Sequence, residues 1–177
     1  ANAVIDGTDA VMLSAETAVG EHPDIVVSAV HRVCLAVERQ PVMRKSRHRI
    51  NYCFDRVDEV IAMAAMYTAN HMRIKAIAAI SASRTTPLWM SRIRTGIPIY
   101  GLSNKANALG KMTLYRDVYP IALALGESES KNIQSHAIAE LEHRNLVHCG
   151  DYVILTKGDC PGVHGGTNSM NIVQVTK

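Results

Sequence analysis

The chain has 177 residues, of which 47% are hydrophobic and 20% are charged, a balance that allows a packed core and argues against intrinsic disorder. This length suits one ordinary domain, or one domain with a fragment of another. Nineteen basic against 16 acidic residues leave a formal net charge of +3, too small to indicate a nucleic-acid-binding protein. The sequence shows no apolar run that could cross a bilayer and no signal-peptide pattern. We therefore expect a globular cytoplasmic protein that binds neither membranes nor nucleic acids.

The cysteines show no close pairing of the C-x-x-C type. They are Cys34, Cys53, Cys149 and Cys160. Reduced thiols in a cytosolic protein are the expected state at this size. His143, His148 and Cys149 lie close in sequence, but a structural zinc site normally needs a second pair of ligands, and none follows. We interpret this cluster as a surface helix end and expect no metal site in the chain.

The N-terminal segment is predicted to form a strand followed by a helix. The apolar run at residues 9–14 suits a buried strand, and Pro23 suits the first turn of a helix. Valines at helical spacing predict a buried face for this helix, whose pattern stops near Pro41. They are Val26, Val30, Val33 and Val37. Because Ala1 falls within what reads as a helix, we expect that a longer chain has been cut here.

A basic run at residues 44–49 has no apolar period. It could contact nucleic acid, but no aromatic residues interleave with it as stacking platforms. A solvated linker explains it better. We place a domain boundary between Met43 and Tyr52.

Beyond this linker, predicted helices and strands alternate, which indicates an α/β fold with a mostly parallel open sheet flanked by helices. The first helix has an apolar face and acidic residues near its N-terminus. The face comprises Val57, Val60, Ile61, Ala64, Ala65, Thr68, Ala69 and Met72, and the acidic residues are Asp55, Asp58 and Glu59. The predicted strands are 75–80, 97–102, 117–123, 152–156 and 171–176, and the later helices are 86–95, 104–111 and 130–146. Only a loop separates the last two strands, so we predict that they pair as an antiparallel hairpin.

Hydroxyl side chains and one arginine fill the loop between the first of these strands and the next helix. They are Ser81, Ser83, Arg84, Thr85 and Thr86. Ligands of open parallel sheets bind at the carboxyl ends of the strands, where hydroxyl donors and a guanidinium can hold a phosphate. The same residues could equally form a helix cap beside a solvated arginine.

A glycine-rich loop separates the last two predicted strands at residues 158–168. Glycines let the backbone approach a ligand closely and can form anion-binding nests. A flexible hairpin loop is the alternative for this segment alone. Together with the hydroxyl loop, it favours a phosphorylated effector. In the N-terminal segment, Ser14 and Glu16 follow the predicted buried strand, where barrel enzymes carry reactive groups, although they could also cap the next helix.

The sequence as a whole resembles the pyruvate kinase family. Residues 1–18 closely match the family's segment around the eighth barrel strand. Ser-Ala-Glu-Thr at residues 14–17, the run at 62–71 and Thr-Lys-Gly-Asp at 156–159 are most similar to the bacterial isozymes of type II.

This resemblance implies a parent homotetramer that transfers phosphoryl from phosphoenolpyruvate to ADP, with Mg²⁺ or Mn²⁺ and K⁺. Residues 1–44 would be the last strand and helix of a catalytic (β/α)₈ barrel. Residues 45–177 would be the C-terminal regulatory domain. The lysine and acidic metal ligands of the family lie on earlier barrel strands, so we expect this chain alone to have no kinase activity and no metal site.

The resemblance also assigns roles to individual residues. Ser14 and Glu16 would lie near the active site, in its proton-delivery network. Residues 81–86 would hold the effector's phosphate, and the glycine-rich loop would close over it. The members of that loop are Gly162, His164, Gly165, Gly166 and Thr167. The resemblance to type II isozymes implies an effector of the AMP or sugar monophosphate class.

The sequence departs from the usual family loop at two positions. Arg84 stands where a glycine often stands, and Pro87 comes early in the helix. The identity of the effector therefore stays open. The alternative to an effector site is an oligomerisation domain whose ligand loops are vestigial.

Overall fold

The apolar run that follows the linker forms the central strand of a five-stranded sheet. This strand, β1, spans Ala76–Ile80 and is buried over its first four residues. The others are β2 (Ile99–Ser103), β3 (Val118–Ala122), β4 (Tyr152–Lys157) and β5 (Ser169–Gln174). The order is β3-β2-β1-β4-β5, with β5 antiparallel to β4 and all other pairs parallel. The predicted α/β class and the C-terminal hairpin are both confirmed.

The computed structural model describes residues 1–43, 52–123, 132–159 and 165–176. Within these ranges the helices are α1 (Asn2–Asp6), α2 (Ala15–Ala18), α3 (Pro23–Glu38), α4 (Val57–His71), α5 (Thr85–Ser91), α6 (Ala106–Met112) and α7 (Ile133–His143), with a 3₁₀ turn at Pro41–Met43. None of these described helices is long and apolar enough to span a membrane. The basic run at 44–49, which we interpret as a linker, lies outside the described residues.

Helices cover both faces of the sheet, which explains why β1 and β4 are apolar along almost their whole length. On one face, Ile77 and Ile154 pack into a cluster with residues of α4, α5 and α6. On the other face, Leu102 and Leu155 pack with residues of α7. The alternation of the strand side chains divides the core into these two layers.

Helix α4 buries only part of the predicted face: Ala65 and Ala69 are buried as expected, whereas other members of that face are not. Val57 and Val60 are 61% and 46% exposed, whereas Asp58 is buried. The buried face is built mainly from alanines and one large residue, Met66. Small side chains allow the helix axis to approach its neighbours closely, and this steric fit outweighs the hydrophobicity of the valines.

Helix α5 ends at Ser91, earlier than the predicted end at residue 95. The chain tightens there, because the backbone N–H groups of Arg92 and Ile93 bond to carbonyls three residues back, at 3.2 and 2.9 Å. The bounds of the remaining elements after residue 75 differ from the predicted ones by a few residues.

The N-terminal segment corrects two predictions. Residues 9–14 do not form a strand, because no described strand lies beside them to complete a hydrogen-bonded ladder. Helix α3 forms from Pro23 as predicted but has no buried residue, and Val33 is 46% exposed. Val26, Val30 and Val37 are half-buried, so the valine face is covered in part and not buried as the periodicity predicts.

Candidate functional site

The two loops singled out by the sequence meet at one edge of the sheet. Strands β1 and β4 are parallel neighbours, with Ala79 opposite Thr156, so their carboxyl ends lie side by side. The hydroxyl loop leaves β1 at this edge, and the glycine-rich loop joins β4 to β5 at the same edge. Parallel pairing thus brings together two segments that are about 80 residues apart.

The hydroxyl loop is buried at Ser81, Thr85 and Thr86 and is held by bonds within the loop and to β2. The hydroxyls of Ser83 and Thr85 share a hydrogen bond of 2.9 Å, and the backbone N–H of Ser81 donates to the carbonyl of Leu102 at 3.0 Å. Arg84 adopts a left-handed backbone conformation with φ 63°. This conformation is costly for a residue with a Cβ, and such strain is often found at binding sites.

Part of the glycine-rich loop lies within the described residues. Gly162 and His164 fall outside them, whereas Gly165, Gly166 and Thr167 are described. Gly165 has φ +71°, and a Cβ added to Gly158 would lie 2.5 Å from the carbonyl oxygen of Gly166. The two arms of the loop therefore approach each other more closely than any side chain at residue 158 would allow.

A buried hydrogen bond joins the two loops directly. The hydroxyl of Thr86 donates to the hydroxyl of Thr167 at 2.6 Å, and both residues are buried. Two reciprocal hydrogen bonds close the neck of the glycine-rich loop, because the Asn168 amide donates to the Asp159 carboxylate at 2.8 Å and accepts from its backbone N–H at 3.3 Å. Together these contacts seat the loop against the start of α5.

The sequence gives no motif for an ion pair that lies against this loop. Arg56 donates two hydrogen bonds to Asp58, from Nε to Oδ1 at 2.9 Å and from Nη2 to Oδ2 at 2.8 Å. The Asp58 side chain is 1% exposed and the Arg56 side chain is 46% exposed. The hydrogen bond and the charge of Asp58 raise the pKa of Arg56 above its ordinary value, so the guanidinium stays charged. Acidic residues at a helix start are common, and only the packing of α4 reveals that Asp58 is buried.

One further polar group lies buried at this edge. Thr156, near the end of β4, is fully buried, and its hydroxyl has no hydrogen-bond partner among the described residues. Buried hydroxyls without partners are uncommon in proteins. The residue belongs to the same edge as the Thr86–Thr167 bond and begins the Thr-Lys-Gly-Asp segment at 156–159.

The structure does not bring Ser14 and Glu16 into contact with this site. Both are exposed, and Glu16 accepts a hydrogen bond from the backbone N–H of Ser14 at 3.3 Å. Ser14 occupies the N-cap position of α2 without a capping side-chain bond. This geometry leaves both interpretations of Ser14 and Glu16 open.

Metal-binding side chains do not cluster in the described part of the chain. No group of three or more His, Cys, Asp or Glu residues there could hold a metal ion. At the predicted surface helix end, the backbone N–H of His148 donates to Asp151 at 2.9 Å. Among the described residues, the side chains therefore do not form a site for magnesium or manganese.

The fold and the joined loops define an α/β domain with a candidate ligand site at the carboxyl edge of its parallel strands. A family model described as "Pyruvate kinase, alpha/beta domain" matches residues 59–173. This match covers most of the sheet and both loops. The chain therefore belongs to the pyruvate kinase family.

Curated relatives agree with this assignment over nearly the whole chain. Pyruvate kinase II of Salmonella typhimurium is 43% identical over 177 residues, covering 99% of this chain and 36% of that protein. Pyruvate kinases of Buchnera aphidicola and Haemophilus influenzae are 44% and 45% identical, covering 99% and 89% of this chain but only 36% and 33% of their own lengths. The chain spans about a third of the length of these relatives and corresponds to their C-terminal portion.

Proposed function

We propose that this chain is the C-terminal regulatory part of a pyruvate kinase and that it binds a phosphorylated effector. The ligand would be AMP or a sugar monophosphate, held between the hydroxyl loop and the glycine-rich loop. The observation that carries the proposal is the buried Thr86–Thr167 hydrogen bond, because it holds together the only two segments that the sequence singles out for phosphate chemistry.

The chemistry of the loops supports a phosphate monoester as the ligand. Ser81, Ser83 and Thr85 offer hydroxyl donors, and Arg84 offers a guanidinium that can bind a phosphate through two parallel hydrogen bonds. The positive φ of Gly165 presents the backbone of the second loop without a side chain. An anionic ligand would thus find donors on both sides of the edge.

For the parent protein we propose the reaction of the family in the cytoplasm: phosphoenolpyruvate and ADP give pyruvate and ATP, with Mg²⁺ or Mn²⁺ and K⁺, in a homotetramer. In the parent, neighbouring barrel strands would pair with residues 9–14, so we assign residues 1–44 to the last strand and helix of its catalytic barrel and residues 45–177 to the regulatory domain. Effector binding would act by favouring one of two conformations of the tetramer.

Ser14 and Glu16 are proposed to support proton delivery in the parent. In this family, the groups that stabilise phosphoryl transfer lie on earlier barrel strands, so this chain alone should not turn over substrate. A coupled assay of pyruvate release by the isolated chain tests this statement, and any turnover above background would refute it.

The single tryptophan provides a direct test of effector binding. Trp89 lies on α5, three residues after Thr86. We expect AMP, ribose 5-phosphate or glucose 6-phosphate to change its fluorescence saturably, while adenosine, ribose and glucose leave it unchanged. The same titrations by calorimetry supply the affinity. No response to any of the three phosphates would favour the alternative function.

That alternative is an oligomerisation domain with vestigial loops. The outer face of α4 supports it, since Tyr67 is 48% exposed and the neighbouring Tyr52 is 61% exposed. A shallow cavity of about 430 Å³ on this face is lined mainly by aromatic and apolar residues. Sedimentation equilibrium of the chain, with and without AMP, separates self-association from ligand binding.

A further inference from the structure

The Arg56–Asp58 ion pair lies outside every motif that the sequence offers, yet it joins a buried carboxylate to a guanidinium through two hydrogen bonds. Asp58 is 1% exposed, and a buried carboxylate is costly unless a partner compensates its charge. Two hydrogen bonds of 2.8 and 2.9 Å fix the guanidinium plane relative to α4. These bonds hold the head of the Arg56 side chain against the start of α4.

The glycine-rich loop rests on this side chain. A Cβ added to Gly165 would lie 2.8 Å from Nη2 of Arg56 and 3.4 Å from Oδ2 of Asp58. The first distance is shorter than van der Waals contact, so a side chain at residue 165 would push the Arg56 guanidinium away from its present position. Its φ of +71° is a second reason for glycine here.

The ion pair and the hydroxyl loop contact the same three-residue segment. Gly165 lies against Arg56, and Thr167 accepts the hydrogen bond from Thr86. The Cα atoms of residues 165 and 167 can be at most about 7 Å apart. Residues 165–167 are thus fixed from two directions, by α4 through a charged pair and by α5 through a hydroxyl.

We propose that the Arg56–Asp58 pair is a positioning element of the effector site. It sets the position of residues 165–167, so that the backbone of this segment meets the phosphate monoester held by the hydroxyl loop. This inference rests on the proposed function, because it assigns a role within that binding site. It assigns to Arg56 and Asp58 no direct contact with the ligand.

The test replaces the pair by neutral residues of similar shape. Arg56→Gln with Asp58→Asn leaves the net charge unchanged and retains groups that can form a hydrogen bond. We expect the double variant of the 177-residue chain to bind AMP or ribose 5-phosphate about tenfold more weakly. Hydrogen exchange at the amides of Gly166 and Thr167 should accelerate, while amides in the β1–β4 ladder should keep their protection.

A matched control pair exists on the other face of the sheet. Arg144 donates from Nε to Oε1 of Glu140 at 2.6 Å, and its side chain is 46% exposed, as is that of Arg56. Arg144→Gln with Glu140→Gln should leave the affinity unchanged. If this control weakens binding as much as the double variant at residues 56 and 58, the positioning role is overturned.

A second variant tests the same role in case the double variant does not fold. Gly165→Ala keeps Arg56 and Asp58 but introduces a methyl group against Nη2, and it should also weaken binding of the same ligand. Unchanged affinity in both variants, with a wild-type chain that binds, would overturn the positioning role and leave the proposed function standing. A wild-type chain that binds none of the phosphates would overturn both.

Discussion

The guanidinium of Arg92 donates a hydrogen bond to the carboxylate of Asp9, which lies 83 positions earlier in the chain. The second oxygen of Asp9 accepts the backbone N–H of Arg116 at 3.0 Å. Arg94 adds a hydrogen bond to the carbonyl of Ile5. Because Arg92 directly follows α5, these bonds connect the N-terminal segment to the helix that begins at the hydroxyl loop. Asp9, which the sequence pattern places in a strand, instead connects the N-terminal segment to the residues that follow α5 and α6.

Asp9→Ala should loosen this attachment with little effect on global stability. A partly exposed ion pair contributes about 0.2–1 kcal/mol, so the melting temperature should fall by only a few degrees. The backbone amide of Arg116 loses its acceptor and should exchange with solvent faster. Hydrogen exchange read at this amide measures the effect. Asp6→Ala, which removes an exposed carboxylate from α1, is the control, and equal acceleration in both variants would contradict the interpretation.

Thr86→Val should destabilise the fold by about 1–3 kcal/mol, because it leaves the buried hydroxyl of Thr167 without its donor. Thr167→Val should have a similar effect. The double variant removes both polar groups and should lose less than the sum of the two single losses. Urea unfolding of the four proteins measures this coupling. Strictly additive losses would show that the two hydroxyls do not depend on each other.

Arg84→Gly should raise stability slightly, by up to about 1 kcal/mol. The left-handed conformation costs a residue with a Cβ about 1–2 kcal/mol, and the greater flexibility of unfolded glycine offsets part of the gain. Arg84→Ala removes the same guanidinium but retains the strain, so it is the matched comparison in thermal unfolding. Both variants should weaken binding of a phosphorylated effector equally. A stabilised Arg84→Ala variant would contradict the role of backbone strain.

Gly158→Ala should disrupt the glycine-rich loop, because the new Cβ would lie 2.5 Å from a backbone carbonyl that cannot move without opening the hairpin neck. We expect a loss of about 1–3 kcal/mol in urea unfolding. Gly110→Ala is the control for the same substitution. Gly110 lies inside α6 with no atom within 4 Å of an added Cβ, so alanine there should stabilise the helix by about 0.5–1 kcal/mol. Destabilisation of similar size at both positions would contradict the packing argument.

Asp117→Asn should stabilise the protein at neutral pH. Burial raises the pKa of Asp117 above its ordinary value, against the opposing charge of Arg116. The folded state then binds this proton more tightly than the unfolded state does, so ionisation of Asp117 costs stability as the pH rises through the raised pKa. Asparagine removes that cost and tolerates the positive φ of 58° at this position.

The expected gain from Asp117→Asn is below about 1 kcal/mol, because the carboxylate is 39% exposed and partly screened by water. It should disappear as the pH falls through the raised pKa. Melting temperatures of wild type and variant across this range measure it, with the exposed Asp6→Asn as control. A stability gain that grows as the pH falls would contradict a raised pKa of Asp117.

Local pattern sufficed to predict most of the sheet and its helices. The predicted bounds of the five strands after the linker agree with the observed bounds to within a few residues, because each strand is a short apolar run bounded by turn residues. The predicted strand at residues 9–14 failed for a different reason. A strand is completed by its neighbours, and nothing in its own residues guarantees that a partner will lie beside it.

The candidate site divides in the same way. The residue pattern alone indicates which residue types could meet a phosphate, since hydroxyls, glycines and an arginine at strand ends carry that chemistry wherever they lie. The Thr86–Thr167 bond and the position of Arg56 and Asp58 against Gly165 become visible only in the folded chain. These contacts depend on strand order and on which face α4 turns inward. Both are set by packing between segments that are distant in sequence, and local periodicity does not predict that packing.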